Sequence, residues 1–370
     1  MPSLFFSKIV KLILATFISL VAISSLLFLP TPPDKSKERI TILVDEGRMP
    51  AIAPNDGAIA YSVLRNKRGE LWLIEKEGRG KRLLVDLTGD ILKPKWSPNG
   101  SEVAFINVHA FSQIFKISQN GVTTPVSRVF DKIENFEWFD NEWILHDGYE
   151  NGSWSVWLSN SKNTYIRLTS GELNARWPSF STNKQYIVFS IRYEGYYKLV
   201  LYDLKESKGI KLTDGEGDDI KATFSPDNKK IAYLSNRTGK WSIWIKNIDI
   251  ENDIELTPSF SENKHPKWSP DVDLNTSLLW TSDSQRIIFD AFRGDSRALF
   301  MIDLRGGRVT LRGEVKQYFP LIQTTLIDKG MVYNPTINES GTAIYFENKT
   351  SDKCSIIRFD LEAEQKIAYG

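Results

Sequence analysis

One repeat constrains this chain more than any other feature. A bulky residue followed by a Ser-Pro-Asp/Asn turn and a short apolar run recurs along it. The best copies are KPKWSPNGSEVAFI from Lys93, WPSFSTNKQYIVFS from Trp177, KATFSPDNKKIAYLS from Lys221, HPKWSPD from His265 and LLWTSDSQRIIFDAF from Leu278. Weaker copies are AIAPNDGAIAYS from Ala51, FEWFDNEWILHD from Phe136 and PTINESGTAIYFEN from Pro335. The bulky anchor falls at Ile52, Trp96, Trp138, Phe180, Phe224, Trp268 or Trp280, and Ile337. The steps are 44, 42, 42, 44 and 44 as far as Trp268; Trp280 repeats the anchor 12 residues on, and Ile337 follows after a further 57. A fixed period of this length is the mark of a repeat architecture and has to be read before any local feature.

Two further columns fix the register. Nineteen or twenty residues after each anchor stands another bulky apolar residue: Trp72, Phe115, Trp157, Val200, Trp244, Phe300 (counted from Trp280) and Ile357. Each sits in a short alternating run such as ELWLIE, WSVWLS or ALFMID, which is the pattern of a half-buried strand. The pair Leu-Thr closes several units, at Leu87-Thr88, Leu168-Thr169, Leu212-Thr213 and Leu256-Thr257. Each unit therefore reads as four short antiparallel strands. Pro presets φ in the first turn, and Gly or Asn accepts positive φ after it. A sheet that is apolar on both faces has to be covered on both. Radial stacking does this, and the fold class expected is an all-β β-propeller. Residues 40–370 divided by seven give about 47 per blade, within the usual range for such repeats, so seven blades are favoured over six.

The motif W-S-P-D-G, an I-A-F/Y strand, S-x-R and a strand rich in I-W/Y resembles the TolB-like, WD40-like (PD40) propeller repeat. It is clearest at Phe224 to Asp227, Ile231-Ala232-Tyr233, Ser235-Asn236-Arg237 and Ile243-Trp244, with Leu212-Thr213 before it. The resemblance covers roughly residues 50 to 360. It implies an extracytoplasmic scaffold, since proteins with this repeat include periplasmic partner-binding proteins and propellers that gate prolyl-oligopeptidase-type enzymes. Two places depart from the pattern. Phe139-Asp140-Asn141-Glu142 replaces the Ser-Pro turn in the third unit, and the Trp268–Trp280 region carries a doubled anchor.

Ahead of the repeats, residues 12 to 29 (LILATFISLVAISSLLFL) hold 18 residues without a charge. As a helix they span about 27 Å, close to a bilayer's hydrocarbon core. Lys8 and Lys11 precede them, which keeps the N-terminus cytoplasmic and sends the rest across. The domains expected are therefore 1–39, a membrane anchor (helix about 9–29) with a Pro-rich linker, and 40–370, the propeller. Cleavage near Ala22-Ile23-Ser24, giving a secreted protein, is the alternative.

Composition narrows the chemistry. Lys+Arg total 47 and Asp+Glu 46, a net charge of +1, which argues against nucleic acid as partner. One cysteine, Cys354, allows neither an intramolecular disulfide nor a thiolate zinc cage. His109, His146 and His265 are isolated in sequence, and no G-x-S-x-G, G-x-G-x-x-G or P-loop motif occurs.

Three groups of residues remain as candidate sites. Asp214, Glu216, Asp218 and Asp219 (in DGEGDD) are an oxygen-rich loop of the kind that holds Ca²⁺, or else a solvated loop. Arg65, Arg192, Arg237 and Arg293 follow their anchors by 12 or 13 residues. They form either a basic ring at one end of the propeller or structural pairs with turn acids such as Asp227 and Asp283. Tyr193, Tyr196 and Tyr197, with Trp143, Trp154 and Trp177, lie off the core columns and suit a contact surface. Trp72, Trp157 and Trp244 belong to inter-blade core by position. The function expected is a membrane-anchored, extracytoplasmic, non-catalytic scaffold for a protein or peptide. The alternatives are a glycan- or peptide-processing enzyme with an axial-channel site, or a sugar- or cation-binding module.

Overall fold

The structure is a computed structural model that describes residues 40–44, 46–54, 57–75, 80–118, 120–248, 253–255, 271–304, 308–311, 314–318, 322–327, 331–351 and 353–361. The expected anchor helix and linker, the candidate anchor Trp268, His265 and the pair Leu256-Thr257 lie outside them, as does the side chain of Arg293. Among the described residues the only helical element is a 3-10 turn, Gly171–Leu173. None of their helices is long and apolar enough to cross a membrane.

Seven four-stranded antiparallel sheets are present, as the repeat count favours. Blade 1 is Arg48–Ile52, Ile59–Arg65, Arg68–Ile74 and Lys81–Thr88. Blade 2 is Asp90–Trp96, Glu102–Val108, Ser112–Ser118 and Thr123–Pro125. Blade 3 is Phe136–Trp138, Trp143–Glu150, Ser153–Asn160 and Tyr165–Arg167. Blade 4 is Arg176–Phe180, Tyr186–Tyr193, Tyr196–Asp203 and Lys208–Lys211. Blade 5 is Asp219–Phe224, Lys230–Ser235, Ser242–Asn247 and Asp253–Glu255. Blade 6 is Leu278–Trp280, Arg286–Arg293, Ser296–Asp303 and Ile322–Ile327, with a hairpin, Arg308–Leu311 and Glu314–Tyr318, inserted before its last strand. That hairpin accounts for the long step to Ile337. Blade 7 joins the two ends of the propeller: Val332–Ile337, Ala343–Lys349 and Cys354–Asp360 take Ile40–Val44 as their fourth strand.

Every anchor is the last residue of a first strand, and in blade 6 that residue is Trp280. The reason for Trp is visible. Indole Nε1 of Trp96 donates to the Ala51 carbonyl (3.1 Å), that of Trp138 to Lys95 (2.9 Å) and that of Trp280 to Thr223 (3.3 Å). Each bond ties a first strand to the first strand of the preceding blade. The Ser of the turn is equally concrete. Ser225 Oγ donates to Asp227 Oδ1 (2.5 Å) and accepts the Lys230 N–H (3.0 Å); Ser97, Ser181 and Thr281 repeat the pattern with Asn99, Asn183 and Asp283. Where blade 3 lacks Ser-Pro, Asp140 Oδ1 accepts the N–H groups of Glu142 and Trp143 instead (2.7 Å each).

The Leu-Thr column is a strand terminator. Thr213 Oγ1 accepts the Leu199 N–H (3.0 Å) while the Leu212 N–H reaches the Leu199 carbonyl (2.7 Å). Thr169 and Leu168 do the same at Val156. Val126 and Ser127 perform this role in blade 2, bonded to Ile114. The sequence pattern missed this pair because neither residue matches the Leu-Thr consensus.

Among the described residues the core divides into seven apolar clusters, one between each pair of neighbouring blades, the last joining blades 7 and 1. Trp72, Trp157 and Trp244 each contribute to one of these clusters, as their column requires. Removing apolar surface from water on both faces of every sheet is what makes a blade stable only in company.

Candidate functional site: the mouth of the axial cavity

The first strands of most blades are irregular at one place. Met49, Lys93, Trp177, Lys221 and Asn334 all have positive φ, between 48° and 53°. Each lies three residues before its anchor, and in each blade the pairing register slips at this point. This is a β-bulge. It re-aims side chains and costs strain for a non-glycine residue. Blades 3 and 6 have no bulge. Their first strands are three residues long, and a buried carboxylate takes over. Asp147 Oδ1 accepts the N–H groups of Glu134 and Asn135 (2.8 Å each), and its Oδ2 accepts that of Trp177 (3.2 Å). Asp290 Oδ1 accepts the Ser277 N–H (2.8 Å), while its Oδ2 meets Arg297 Nε (2.6 Å). Burial pushes both carboxyls above the usual range, and the bonds they receive oppose the push.

Some of these devices border a cavity of about 740 Å³. Lys93, Trp177 and Lys221 line it from their bulges; Tyr197 and Trp241 add aromatic surface. Its ionic side is built around Glu134 and Arg176. Arg176 Nη2 meets Glu134 Oε2, and Lys132 Nζ meets Oε1 (2.6 Å). The guanidinium lies 4.1 Å from the Trp177 ring centre and 4.3 Å from that of Trp154. Burial works against the Glu134 charge, but Lys132 and Arg176 together hold its carboxyl below the ordinary value. Glu137, with Ser179 Oγ donating to it (3.2 Å), is shifted upward by burial.

Lys93 and Lys221 differ from the other cations. The Lys93 ammonium donates to the Glu134 backbone carbonyl (2.6 Å), and that of Lys221 to the Leu274 carbonyl. Crowding by protein lowers Lys93 to about 8, with the charge of Lys95 adding to the effect. Lys221 is lowered by burial as well.

The residues singled out in sequence distribute as follows. Tyr197 and Asp218 line the cavity, as does Trp177. Tyr193 and Tyr196 lie outside it, exposed in the hairpin turn, with Lys211 Nζ 4.1 Å from the Tyr193 ring centre. Trp154 is buried beneath Arg176, and Trp143 begins the second strand of blade 3. Arg65 pairs with Glu46 (2.5 Å) and Glu70 (3.0 Å), and Arg237 with Asp219 (2.8 Å). Arg192 is exposed, its guanidinium 5.3 Å from the Tyr197 ring centre. The expected partners Asp227 and Asp283 instead meet Lys230 and Arg286. They sit in first-to-second-strand turns, at the opposite end of the blades from the arginines.

The acidic loop is not uniformly solvated. Asp214 is exposed and pairs with Lys211 (3.0 Å), while Glu216 is exposed. Asp218 Oδ1 accepts the Tyr197 N–H (2.7 Å). Asp219 is buried between Arg237 and Lys198, whose ammonium also meets the Gly217 carbonyl (2.5 Å). Among the described residues no group of three or more His, Cys, Asp or Glu is arranged to hold a metal ion. His146 is fully buried, with Nε2 at 2.8 Å from Ser159 Oγ and Nδ1 at 2.9 Å from the Asp147 carbonyl; burial lowers it to about 4. His109 is exposed.

Residues 139–275 match the family model described as PD40, TolB beta propeller domain. This bears out the TolB-like, PD40 resemblance drawn from the repeat. An uncharacterized protein of Agrobacterium fabrum is 25% identical over 223 residues, 58% of this chain and 73% of that protein. The Tol-Pal system protein TolB of Helicobacter pylori is 28% identical over 94 residues, 25% of this chain and 22% of TolB. The match therefore spans about a fifth of that relative's length. A puromycin-hydrolyzing peptidase of Mycobacterium tuberculosis has a similar fold, with TM-score 0.64 at 12% identity, over 90% of this chain and 54% of the peptidase. At that identity the likeness concerns the fold.

Proposed function

We propose that this chain is a non-catalytic scaffold that captures a protein or peptide outside the cytoplasm, at the mouth of its axial cavity, and that residues 9–29 hold it to the membrane. The observation that carries the reading is the cavity itself. It is large enough for a few side chains, it has three aromatic rings and several aliphatic walls, and its cations include two that hold only backbone carbonyls. Concave apolar surface with a few convergent polar groups is the usual form of a binding site. The name of the Helicobacter pylori relative, a Tol-Pal system protein, fits a role in an assembly. His146 is sealed from solvent in the blade core, which suits it to structure rather than to proton transfer with a ligand.

Site-specific photocrosslinking tests this. A crosslinker at Trp241, on the cavity wall, is compared with one at Asp227, at the far end of the blades, using the full chain in native membranes. A single stoichiometric adduct from position 241 and none from 227 is the expected result. Equal labelling from both ends, or turnover of a peptide or glycan substrate that disappears with Glu137→Gln, would sink the scaffold reading. Alkaline carbonate extraction tests the anchor; release of the intact chain into the supernatant counts against it.

A further inference from the structure

The acids at and near the cavity already have partners, Glu137 in Ser179 Oγ (3.2 Å) and Asp218 in the Tyr197 N–H (2.7 Å). Glu134 is bonded by Arg176 and Lys132, Asp147 by three backbone N–H groups, and Asp290 by Arg297, whose other two nitrogens grip Asp273 (3.1 Å each). Lys93 and Lys221 are not answered in kind. They are equivalent residues of blades 2 and 5, each in the left-handed region of a bulge, each lining the same cavity, each ammonium bonded to a carbonyl and not to a carboxylate. The charge on Lys221 is among the influences that disfavour the charge on Lys93, so the two act on a common space. Asp147 and Glu134 act on Lys93, and Asp290, Glu134 and Asp273 on Lys221, but the bond of each ammonium goes to a backbone carbonyl, and two such cations form a complementary half-site for an anion.

The rest of the wall selects among anions. Leu92, Ile106, Ile133, Ile220 and Leu278 join Trp177 and Trp241 around the same space. Aliphatic walls desolvate an apolar side chain well and a sugar ring, with hydroxyls on every edge, poorly. From this we infer that Lys93 and Lys221 receive the C-terminal carboxylate of a peptide whose last side chain is apolar and packs against Trp177 and Trp241. The inference rests on the cavity being a peptide site.

The test uses short synthetic peptides and the intact chain in detergent. N-acetyl-Ala-Ala-Phe with a free carboxylate, the same peptide as its C-terminal amide, and a galacturonate oligomer are titrated by calorimetry. The free acid is expected to bind at least about tenfold more tightly than the amide, the usual scale for one charge-assisted bond pair. Lys93→Gln and Lys221→Gln should each remove about tenfold from the free acid and leave amide binding unchanged. Lys93→Arg, which keeps the charge, should restore most of the loss. Melting temperatures of the variants show that they fold. Equal binding of acid and amide overturns the carboxylate assignment but leaves a peptide site. Binding of neither overturns both this inference and the peptide reading. Lysine-dependent binding of the galacturonate oligomer alone overturns the choice of peptide.

Discussion

Blades 4 and 5 solve the inner-strand problem differently from blades 3 and 6. In blades 4 and 5 the first strand is five or six residues long, bulged, and carries Trp177 or Lys221 in the left-handed region. In blades 3 and 6 it is three residues long, and a buried aspartate collects the backbone N–H groups ahead of it. Both arrangements bring the chain to the cavity edge with its donors satisfied. The first stores strain in the backbone; the second buries a carboxylate. Since the costs differ in kind, substitutions should separate the two designs.

The largest effect is expected in blade 6. Asp290→Ala would leave Arg297, fully buried, without one of its two carboxylates and would orphan the Ser277 N–H. Breaking a buried ion pair from one side costs about 3–5 kcal/mol. Ser190 stands at the same place in blade 4, where its hydroxyl donates to the Asp219 carbonyl (3.0 Å). Ser190→Ala should cost about 1 kcal/mol. Urea denaturation measures both, and equal costs would erase the distinction between clasped and bulged blades.

Blade 3 offers a second contrast, in pH. His146 adjoins the Asp147 clasp and is held near 4, against 6.5 for the ordinary side chain. The unfolded chain therefore takes up a proton between these values and the folded chain does not. Stability is full above pH 6.5 and falls as pH drops toward 4, by about 3 kcal/mol from this residue. The raised carboxyls of Asp147, Asp290 and Glu137 act in the opposite sense, so the variant isolates the histidine. His146→Gln should flatten the acid side of the profile; an unchanged slope would show that His146 protonates in the folded state.

Much of this was legible before the structure. The anchors among the described residues mark the ends of first strands, because a bulky residue must fill the inter-blade space at each repeat. Blade count and the core role of Trp72, Trp157 and Trp244 followed from the same periodicity. The site was only partly legible. Trp177 and Tyr197 stood out as aromatics off the core columns, and both reach the cavity. Lys93 and Lys221 did not, although each stands three residues before an anchor, because a lysine in a strand reads as a solvated side chain. The clasping acids were present in the repeat copies ILHD and IIFDAF, as a charge where the second strand is otherwise apolar or small. Their meaning depends on backbone N–H groups from elsewhere in the fold, which no local pattern shows. The pairing of arginines with Asp227 and Asp283 failed for a simpler reason: alternate turns of a blade point to opposite ends.

The anchor bond sharpens the contrast further. Both clasped blades use Trp and donate its indole N–H to the preceding blade, as bulged blade 2 also does through Trp96, whereas bulged blades 4 and 5 have Phe at the same place. A three-residue strand has fewer ladder bonds to hold it, and the indole supplies one across the interface. Trp138→Phe should cost about 1 kcal/mol or slightly more, since the Lys95 carbonyl loses its indole donor. The reverse change in a bulged blade, Phe180→Trp, should bring no comparable gain.

The smallest effect concerns the strain itself. Lys221 holds φ of 53°, a region that costs a non-glycine residue about 1 kcal/mol. Glycine removes that cost but loses about 0.5–1 kcal/mol of chain entropy on folding. The two nearly cancel, so Lys221→Gly should differ by less than about 0.5 kcal/mol in either direction from Lys221→Ala, which loses the same bond to the Leu274 carbonyl. Ser277 of blade 6 holds the matching place without positive φ. There Ser277→Gly has only the entropy term and should destabilise by about 0.5–1 kcal/mol. The difference between the two glycine variants, each taken against alanine at its own position in the same urea series, reads the backbone strain of the bulge directly. If both variants lose the same amount, the left-handed residues at the cavity edge carry no strain, and the two inner-strand designs are energetically alike.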